Sequence, residues 1–267
     1  MTIRIEVVPL GTSSGTPTRE RGVSALLLKM DSRCLLLDCG DGTQQRAIQA
    51  GMNIHALDAI FITHLHGDHV YGLPALLSTL SLQGRTQPLA LHGPHGLAEL
   101  LRTVLRVSQV HLTFPLRIRE IQPGLVWNTE NLKVSCAMLD HRIQAFGYRF
   151  DALRGGARRS VTYCTDTRPC ESSVHLARGS DLLIHEATYL HELADKARER
   201  GHSTARQAAE IAKSAEVSWL MLTHFSPRYR DLGPLLQDAR DVFPWTVVAQ
   251  DYMPFDLGRQ IREDKAA

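Results

Sequence analysis

Three histidines and an aspartate lie within six residues of one another, directly after an apolar, strand-like stretch. The segment reads Thr63-His64-Leu65-His66-Gly67-Asp68-His69. Side chains two residues apart on extended backbone point to the same side, so His64 and His66 can hold one metal ion together. Gly67 permits a sharp turn that directs Asp68 and His69 towards a second position. The spacing predicts two neighbouring metal sites, the alternative being a His-rich surface loop without ligands.

Four side chains cannot complete two such sites. A catalytic zinc ion usually takes three protein ligands and keeps an open position for water. The first cluster indicates where further ligands lie, namely at polar residues that directly follow apolar, strand-like runs. Three segments fit this description: Leu139-Asp140-His141-Arg142, Tyr163-Cys164-Thr165-Asp166 and Leu222-Thr223-His224-Phe225. His141, Asp166 and His224 are therefore candidate ligands.

The order of these residues resembles that of the metallo-β-lactamase superfamily, whose members carry His-x-His-x-Asp-His and then a His, an Asp and a His. The resemblance runs from Pro9 to about Asp256 and is closer still to the ribonuclease Z (tRNase Z) family. It is carried by Asp38-Cys39-Gly40-Asp41-Gly42-Thr43-Gln44, Thr63 to His69, Asp166-Thr167-Arg168-Pro169-Cys170, His185-Glu186-Ala187-Thr188, Gly201-His202-Ser203-Thr204 and Thr223-His224-Phe225-Ser226-Pro227.

The resemblance implies two zinc ions per chain, for which manganese or cobalt could substitute. It implies one ion on His64, His66 and His141, a second on Asp68, His69 and His224, and Asp166 as the bridge. A carboxylate has two oxygens and can span two cations, whereas a neutral imidazole offers one lone pair. Two such ions lower the pKa of a shared water and stabilise an in-line displacement at phosphorus. The attacking group is then a metal-bound hydroxide, which Asp68 also orients.

Departure of a ribose 3′-oxygen requires a proton donor or a metal ion. We expect Glu186 and His202 to act as that donor pair, with the carboxylate holding the imidazole in one tautomer. His202 directly precedes a predicted helix whose start is marked by Thr204 and Gln207, a capping-box pattern. The alternative is that Glu186 only accepts a hydrogen bond from the start of that helix.

The remaining sequence predicts an α/β protein. Strand-like and helix-like segments alternate in two halves, roughly 1–150 and 160–257, and we interpret residues 1–267 as a single domain. Predicted helices cover 43–50, 97–106, 171–177, 205–215 and 232–242. The resemblance implies a four-layer αβ/βα sandwich, in which two mixed sheets pack face to face with helices outside.

Length and composition indicate where in the cell the protein is expected. The 267 residues suffice for a large core, and no apolar run reaches the roughly 18 residues that a membrane span needs. We therefore expect a soluble, cytoplasmic protein without a membrane partner. Five cysteines, an odd number without a tight pattern, indicate reduced thiols more than a disulfide framework.

Two segments depart from the ribonuclease Z pattern. The family often carries a long arm, rich in Gly and Pro, which clamps the tRNA body; here only residues 151–159 separate two predicted strands, so we expect a nine-residue loop. The loop Pro17–Gly22 matches the family's Pro-x-Lys-x-Arg-Asn only partly, with Arg19 for Lys and Gly22 for Asn. The candidate phosphate-binding residues are Arg19, Arg21, Arg168 and Arg228.

Three hypotheses for function follow. The resemblance implies a homodimeric endoribonuclease that cleaves the 3′ trailer of precursor tRNA and leaves a 3′-hydroxyl on the tRNA. The missing arm keeps open a metal-dependent phosphodiesterase that acts on small or unstructured phosphodiesters. The third hypothesis is a non-catalytic RNA-binding or assembly subunit. A thioesterase or lactamase is a further alternative, but it would give Glu186 and His202 no role. The net charge of +2 is too small to diagnose nucleic-acid binding.

Overall fold

The computed structural model describes residues 3–264, and for 261–264 it describes the backbone only. The chain divides into two compact units. The first unit comprises residues 4–121 and the C-terminal segment from 250, and the second comprises 122–249 with residue 3. Each unit is built on a seven-stranded mixed sheet flanked by helices, which confirms the α/β prediction.

The sheet of the first unit joins antiparallel and parallel strands. Its strands are β1 Ile5–Gly11, β2 Ala25–Met30, β3 Arg33–Leu37, β4 Ala59–Phe61, β5 Leu89–Gly93, β6 Leu116–Glu120 and β14 Phe255–Asp256. Their order is β14-β1-β2-β3-β4-β5-β6, antiparallel as far as β3 and parallel from β3 to β6. The helices of this unit are α1 Thr43–Gln49, α2 Gly67–Val70, α3 Leu73–Leu82, α4 Leu97–Val107 and α9 Leu257–Asp264.

The sheet of the second unit likewise combines three antiparallel and three parallel ladders. Its strands are β7 Gly124–Asn128, β8 Leu132–Met138, β9 Phe146–Arg154, β10 Ala157–Cys164, β11 Leu182–Glu186, β12 Trp219–Thr223 and β13 Thr246–Val248. Neighbours are antiparallel from β7 to β10 and parallel from β10 to β13. Its helices are α5 Glu171–Ala177, α6 Ala194–Arg200, α7 Ala205–Ser214 and α8 Gly233–Arg240.

The central parallel strands are buried along their whole length. Every residue of β4, β11 and β12 is buried, as expected for parallel strands that are covered on both faces. Leucine and alanine side chains from the helices complete the core in each unit. Strands held this firmly fix the position of the residues that follow their carboxyl ends, and most of the candidate site residues occur there.

The five predicted helices are all present, with bounds within two residues of those expected. The prediction of a nine-residue loop over 151–159 is wrong. β9 and β10 remain paired through this segment, from Asp151 opposite Ser160 to Arg154 opposite Ala157. Only Gly155 and Gly156 form the turn, with φ of 54° and 81°. Two successive positive φ angles suit a two-residue hairpin, which glycine accepts without steric cost.

The described chain therefore carries no arm at this hairpin. Arg158 is paired with Asp151 at 2.7 Å across the two strands, and Arg159 with Asp181 at 3.1 Å. All five cysteines are free thiols. Among the described residues, no helix has both the length and the apolar character that crossing a membrane requires.

Candidate metal centre

The first two histidines of the cluster converge on one point. Beyond β4 the chain continues to His66, whose extended backbone precedes α2. Nε2 of His64 and Nδ1 of His66 are 3.0 Å apart, and the two rings meet edge to face. Ring nitrogens at this distance either share one proton or face one cation. The period-two spacing predicts this convergence.

Asp38 holds the third histidine, and sequence reasoning missed it. Its Oδ2 lies 2.9 Å from Nδ1 of His69, while its Oδ1 accepts the backbone N–H of Thr63 at 2.8 Å. Since a carboxylate only accepts, Nδ1 carries the proton and Nε2 presents its lone pair, 3.4 Å from Oδ2 of Asp68. The hydroxyl of Ser24 lies 3.3 Å from the same Nε2. Asp38 directly follows β3, the signal that identified the other candidates.

Gly67 is needed for a reason other than the predicted turn. It begins the short helix α2 and does not have a positive φ. A side chain at this position would overlap the ring of Tyr71. The glycine therefore allows a close approach, and α2 places Asp68 and His69 in its single turn.

In the second unit, His141 faces Asp166 with its lone pair. Nδ1 of His141 is 2.8 Å from the carbonyl oxygen of Gly201, which can only accept, so this nitrogen is protonated. Nε2 then points its lone pair towards Oδ2 of Asp166 at 3.8 Å. Burial lowers the pKa of His141, which favours the neutral ring that a metal requires.

His224 has the same arrangement on the other carboxylate oxygen of Asp166. The hydroxyl of Thr188 donates its single proton to Glu186 at 2.6 Å or to the carbonyl of His224 at 3.0 Å. It must therefore accept from Nδ1 of His224, 3.1 Å away. Nε2 of His224 is left with its lone pair 3.1 Å from Oδ1 of Asp166. Sequence reasoning missed Thr188, whose type and spacing give no ligand signal.

These contacts fit a divalent cation at Asp166. Both oxygens of one carboxylate face an imidazole lone pair, and such pairs of acceptors repel unless a cation lies between them. Donor atoms of Asp166, His202 and His224 lie within 4.8 Å of one another. Imidazole and carboxylate together are ligands that zinc, manganese and cobalt accept. The residues present thus suit the metal that the sequence predicts.

The buried Glu186 pairs with the partly buried His202 beside Asp166. Oε1 of Glu186 accepts from Nδ1 of His202 at 3.0 Å and from the backbone N–H of Thr167 at 2.7 Å. Burial alone would raise the pKa of Glu186, but the charge and the hydrogen bond of His202 outweigh it, so the pKa lies below its ordinary value. The start of α7 is capped by Thr204 and Gln207 instead. The alternative role for Glu186, accepting from that helix, is therefore not the one observed.

One candidate residue of the first unit and two of the second occupy the left-handed region of backbone conformation. Asp38, Asp166 and His224 have φ of 56°, 50° and 59°. Each follows the end of a strand, β3, β10 or β12, by no more than two residues. Such a conformation costs roughly 1–3 kcal/mol for a residue other than glycine and is found mainly where function requires it. Asp31, Gln109, Glu216 and Tyr252 share this conformation away from the candidate site, so a functional role for the three strand ends stays a prediction.

The four candidate arginines differ in what they contact. Arg19 is exposed, whereas Arg21 is only 8% exposed, and burial lowers its pKa. Arg168 donates to the carbonyl of Arg198 at 2.7 Å and to Asp140 at 3.0 Å. Arg228 lies 5.0 Å above the ring of Tyr189. Their role in binding phosphate stays a prediction.

Comparison with known proteins identifies the family. Residues 33–225 match the model of the beta-lactamase superfamily domain. A ribonuclease Z of Trichodesmium erythraeum is 38% identical to this chain over an alignment that covers 96% of each protein. This chain belongs to the ribonuclease Z family. A ribonuclease Z of Nostoc is 37% identical, again over 96% of each protein. Membership of the ribonuclease Z family makes the chain a metal-dependent hydrolase of the nuclease type.

Solved structures agree with the ribonuclease Z assignment. The short form of human tRNase Z superposes with a TM-score of 0.82 at 34% identity, over 94% of this chain and 98% of that one. A diphosphatase of the PhnP family, at 19% identity and a TM-score of 0.74, shares the fold. The alignment with the Trichodesmium ribonuclease Z spans 308 positions. Because this chain has only 267 residues, part of that relative has no counterpart here.

Proposed function

We propose that this chain is a dinuclear zinc endoribonuclease that removes the 3′ trailer of precursor tRNA and leaves a 3′-hydroxyl on the tRNA. The observation that carries the proposal is Asp166, both of whose carboxylate oxygens face imidazole lone pairs. The proposed ligands are His64, His66, Asp68, His69, His141, Asp166 and His224. Two ions held by these residues would supply an activated water at neutral pH and would stabilise charge at phosphorus.

The remaining catalytic work falls to Glu186 and His202. With its carboxylate bound by three donors, Glu186 orients His202 and favours the charged imidazolium. His202 then donates a proton to the departing ribose oxygen. Asp68 orients the attacking water as well as binding metal. Buried groups that hold one another by hydrogen bonds are suited to this task, since they need not rearrange during the reaction.

Precursor tRNA is favoured as substrate because the relatives at 36–39% identity are named ribonuclease Z. The two-residue turn between β9 and β10 favours a second candidate, namely small or unstructured phosphodiesters. Without an arm, fewer cations neutralise the phosphates of the tRNA body, and this contribution to affinity is lost. The metal chemistry is the same for both substrates.

One comparison of rates tests the proposal and separates the two substrates. The wild-type chain is assayed on precursor tRNA and on bis(p-nitrophenyl) phosphate, before and after metal removal and after addition of zinc. We expect cleavage of both to stop without metal and to return with zinc, with kcat/KM far higher for the tRNA. Comparable kcat/KM on the two substrates would favour the second candidate.

A matched pair of variants tests the role of Asp166. Asp166→Asn removes the charge at the proposed bridge and should abolish cleavage of both substrates. Asp181→Asn removes a carboxylate that pairs with Arg159 elsewhere in the same unit, and should cleave at the wild-type rate. Full activity of Asp166→Asn, or of metal-free protein, would refute the proposal. Bound zinc without turnover on either substrate would instead favour the non-catalytic RNA-binding or assembly role.

We further propose that the enzyme acts as a homodimer in the cytoplasm, as tRNA processing by members of this family suggests. The mass of the protein in solution tests whether it is a homodimer. A mass of one chain at assay concentration would contradict it.

A further inference from the structure

The loop of residues 12–22 lies between β1 and β2, and its Gly15 contacts a proposed metal ligand. The backbone N–H of Gly15 donates to Oδ2 of Asp68 at 2.8 Å. Gly15 has φ of 71°, and no atom lies within 4 Å of where its side chain would stand. The donor belongs to the backbone, so its direction depends only on how the loop is held.

A single carboxylate holds both ends of this loop. Oδ1 of Asp251 accepts the hydroxyl of Thr12 at 2.6 Å, and Oδ2 accepts the backbone N–H of Gly22 at 2.8 Å. The backbone N–H of Ser13 closes the loop by donating to the carbonyl of Gly22 at 2.8 Å. Asp251 lies more than 200 residues away in sequence, and only 4% of its side chain is exposed.

Arg46 fixes Asp251 in turn. Its guanidinium donates to Oδ2 of Asp251 and to the carbonyl of Leu10, and it stacks 4.5 Å from the centre of the Tyr252 ring. A side chain at position 22 would overlap Arg46. The glycine that stands where the family pattern has Asn therefore leaves room for Arg46 to reach the carboxylate.

We propose that the loop of residues 12–22 is a positioning element for Asp68, and that Asp251 is the positioning residue that fixes it. The Gly15 N–H holds one oxygen of Asp68 and thereby sets the direction of the other. Asp251 touches no reacting atom and acts through the loop. The proposal rests on the proposed function, because it assigns a purpose to the fixed orientation of Asp68.

Two variants loosen the loop and one keeps it in place. Asp251→Asn replaces one acceptor by an amide that cannot receive all three donors, and Thr12→Val removes a hydroxyl without changing side-chain shape. Thr12→Ser keeps the hydroxyl and should behave as wild type. The matched control is Asp58→Asn, which changes a carboxylate that likewise binds an arginine and a backbone N–H, those of Arg33 and Cys34. Asp58 has no place in the proposed centre.

The variants are compared by kinetics at saturating zinc and by amide hydrogen exchange. With Asp251→Asn and Thr12→Val we expect kcat to fall about 10- to 100-fold on both bis(p-nitrophenyl) phosphate and precursor tRNA, the size of effect seen when supporting partners of a metal site are lost. KM for the small diester should stay within about twofold, since neither Thr12 nor Asp251 is among the candidate phosphate-binding residues. Exchange over residues 13–16 should accelerate in these two variants and not in the control.

Unchanged kcat on the small diester with accelerated exchange over residues 13–16 would overturn the proposal, as would a loss confined to KM for tRNA. If Asp251→Asn does not fold, the Thr12 pair decides, because Thr12→Val alters a single hydroxyl. Failure of the proposed function looks different. In that case wild-type protein does not cleave precursor tRNA, while the small diester and the exchange data still test the loop.

Discussion

The tautomers of the candidate ligand histidines are set by neighbouring groups that are not proposed ligands themselves. Oxygens of Asp38, Thr188 and Gly201 each accept a hydrogen bond from Nδ1 of one histidine. The histidines are His69, His224 and His141, in that order. In all three rings the lone pair is thereby left on Nε2. Supporting partners of this kind orient metal-binding histidines and increase their basicity. The site is thus determined as much by these acceptors as by the predicted ligands.

Thr188 gives the sharpest test at this scale. Thr188→Val keeps the shape of the side chain and removes the hydroxyl, which leaves Nδ1 of His224 and Oε2 of Glu186 without their shared partner. We expect zinc affinity or kcat to fall about 10- to 100-fold. Zinc content after dialysis and kcat on a small phosphodiester measure the effect. Thr188→Ser is the control, and equal values for the Val and Ser variants would show that the hydroxyl does not set the tautomer.

At the scale of elements, the ends of apolar strands explain why candidate ligands could be predicted. A ligand must follow a strand that is itself fixed, and the residues before His64, Asp166 and His224 form apolar runs that read as strands. The contacts of Asp251 could not be read in this way. Its partners Thr12, Gly22 and Arg46 are distant in sequence, and none of the four has a residue type that indicates the others.

A buried histidine on β5 makes stability depend on pH. His92 is 4% exposed and stacks on Phe61 of β4 with ring centres 5.0 Å apart. Burial, with a smaller contribution from the charge of Arg119, lowers its pKa from 6.5 to about 4. Between these two values the unfolded chain binds a proton that the folded chain does not, so stability present above pH 6.5 is lost as pH falls towards 4.

We expect the His92→Phe variant, which keeps an aromatic ring against Phe61, to lose this dependence. The free energy of unfolding of wild type relative to the variant should fall by about 1–2 kcal/mol between pH 7 and pH 5, at a slope of at most about 1.4 kcal/mol per pH unit. Denaturant titrations of metal-free protein at pH 7, 6 and 5 measure it. A difference that does not change with pH would contradict the assignment to His92.

At the scale of the whole molecule, the two units repeat one topological plan. Each sheet has three antiparallel and three parallel ladders. Most of the candidate site residues end or follow strands with parallel neighbours, β3 and β4 in the first unit and β10, β11 and β12 in the second, whereas His141 follows the antiparallel strand β8. Asp38 after β3 and Asp166 after β10 even share the left-handed conformation. No repeat is recognisable in the sequence, because the plan depends on strand order and burial and not on particular side chains.

Metal binding should stabilise the whole chain if the seven proposed ligands act together. A ligand at 100 times its Kd stabilises the folded state by about 2.7 kcal/mol, which for a chain of this size raises Tm by about 5–10 °C. Thermal unfolding of metal-free protein with increasing zinc measures the shift. Asp166→Asn should show a much smaller one. An equal shift in that variant would mean that zinc binds elsewhere.

The sequence therefore predicts candidate metal ligands more readily than it predicts the structure of the segment 151–159. Metal coordination restricts residue type and spacing so tightly that His64, His66, Asp68 and His69 could be predicted as ligands from the sequence alone. The segment 151–159 is different, since a Gly-Gly pair can interrupt a loop or close a hairpin, and the choice is made by cross-strand partners such as Asp151 and Ser160. Local sequence does not contain that pairing.

The turn at Gly155 and Gly156 makes this hairpin a natural point for inserting a domain. The two strands arrive side by side, so a segment of any length placed between them starts and ends at nearly the same position and leaves the register of β9 and β10 unchanged. The entropy cost of such a segment grows only slowly with its length. In evolution or in engineering, a nuclease of this plan can gain or lose a substrate-gripping module while its catalytic apparatus stays the same.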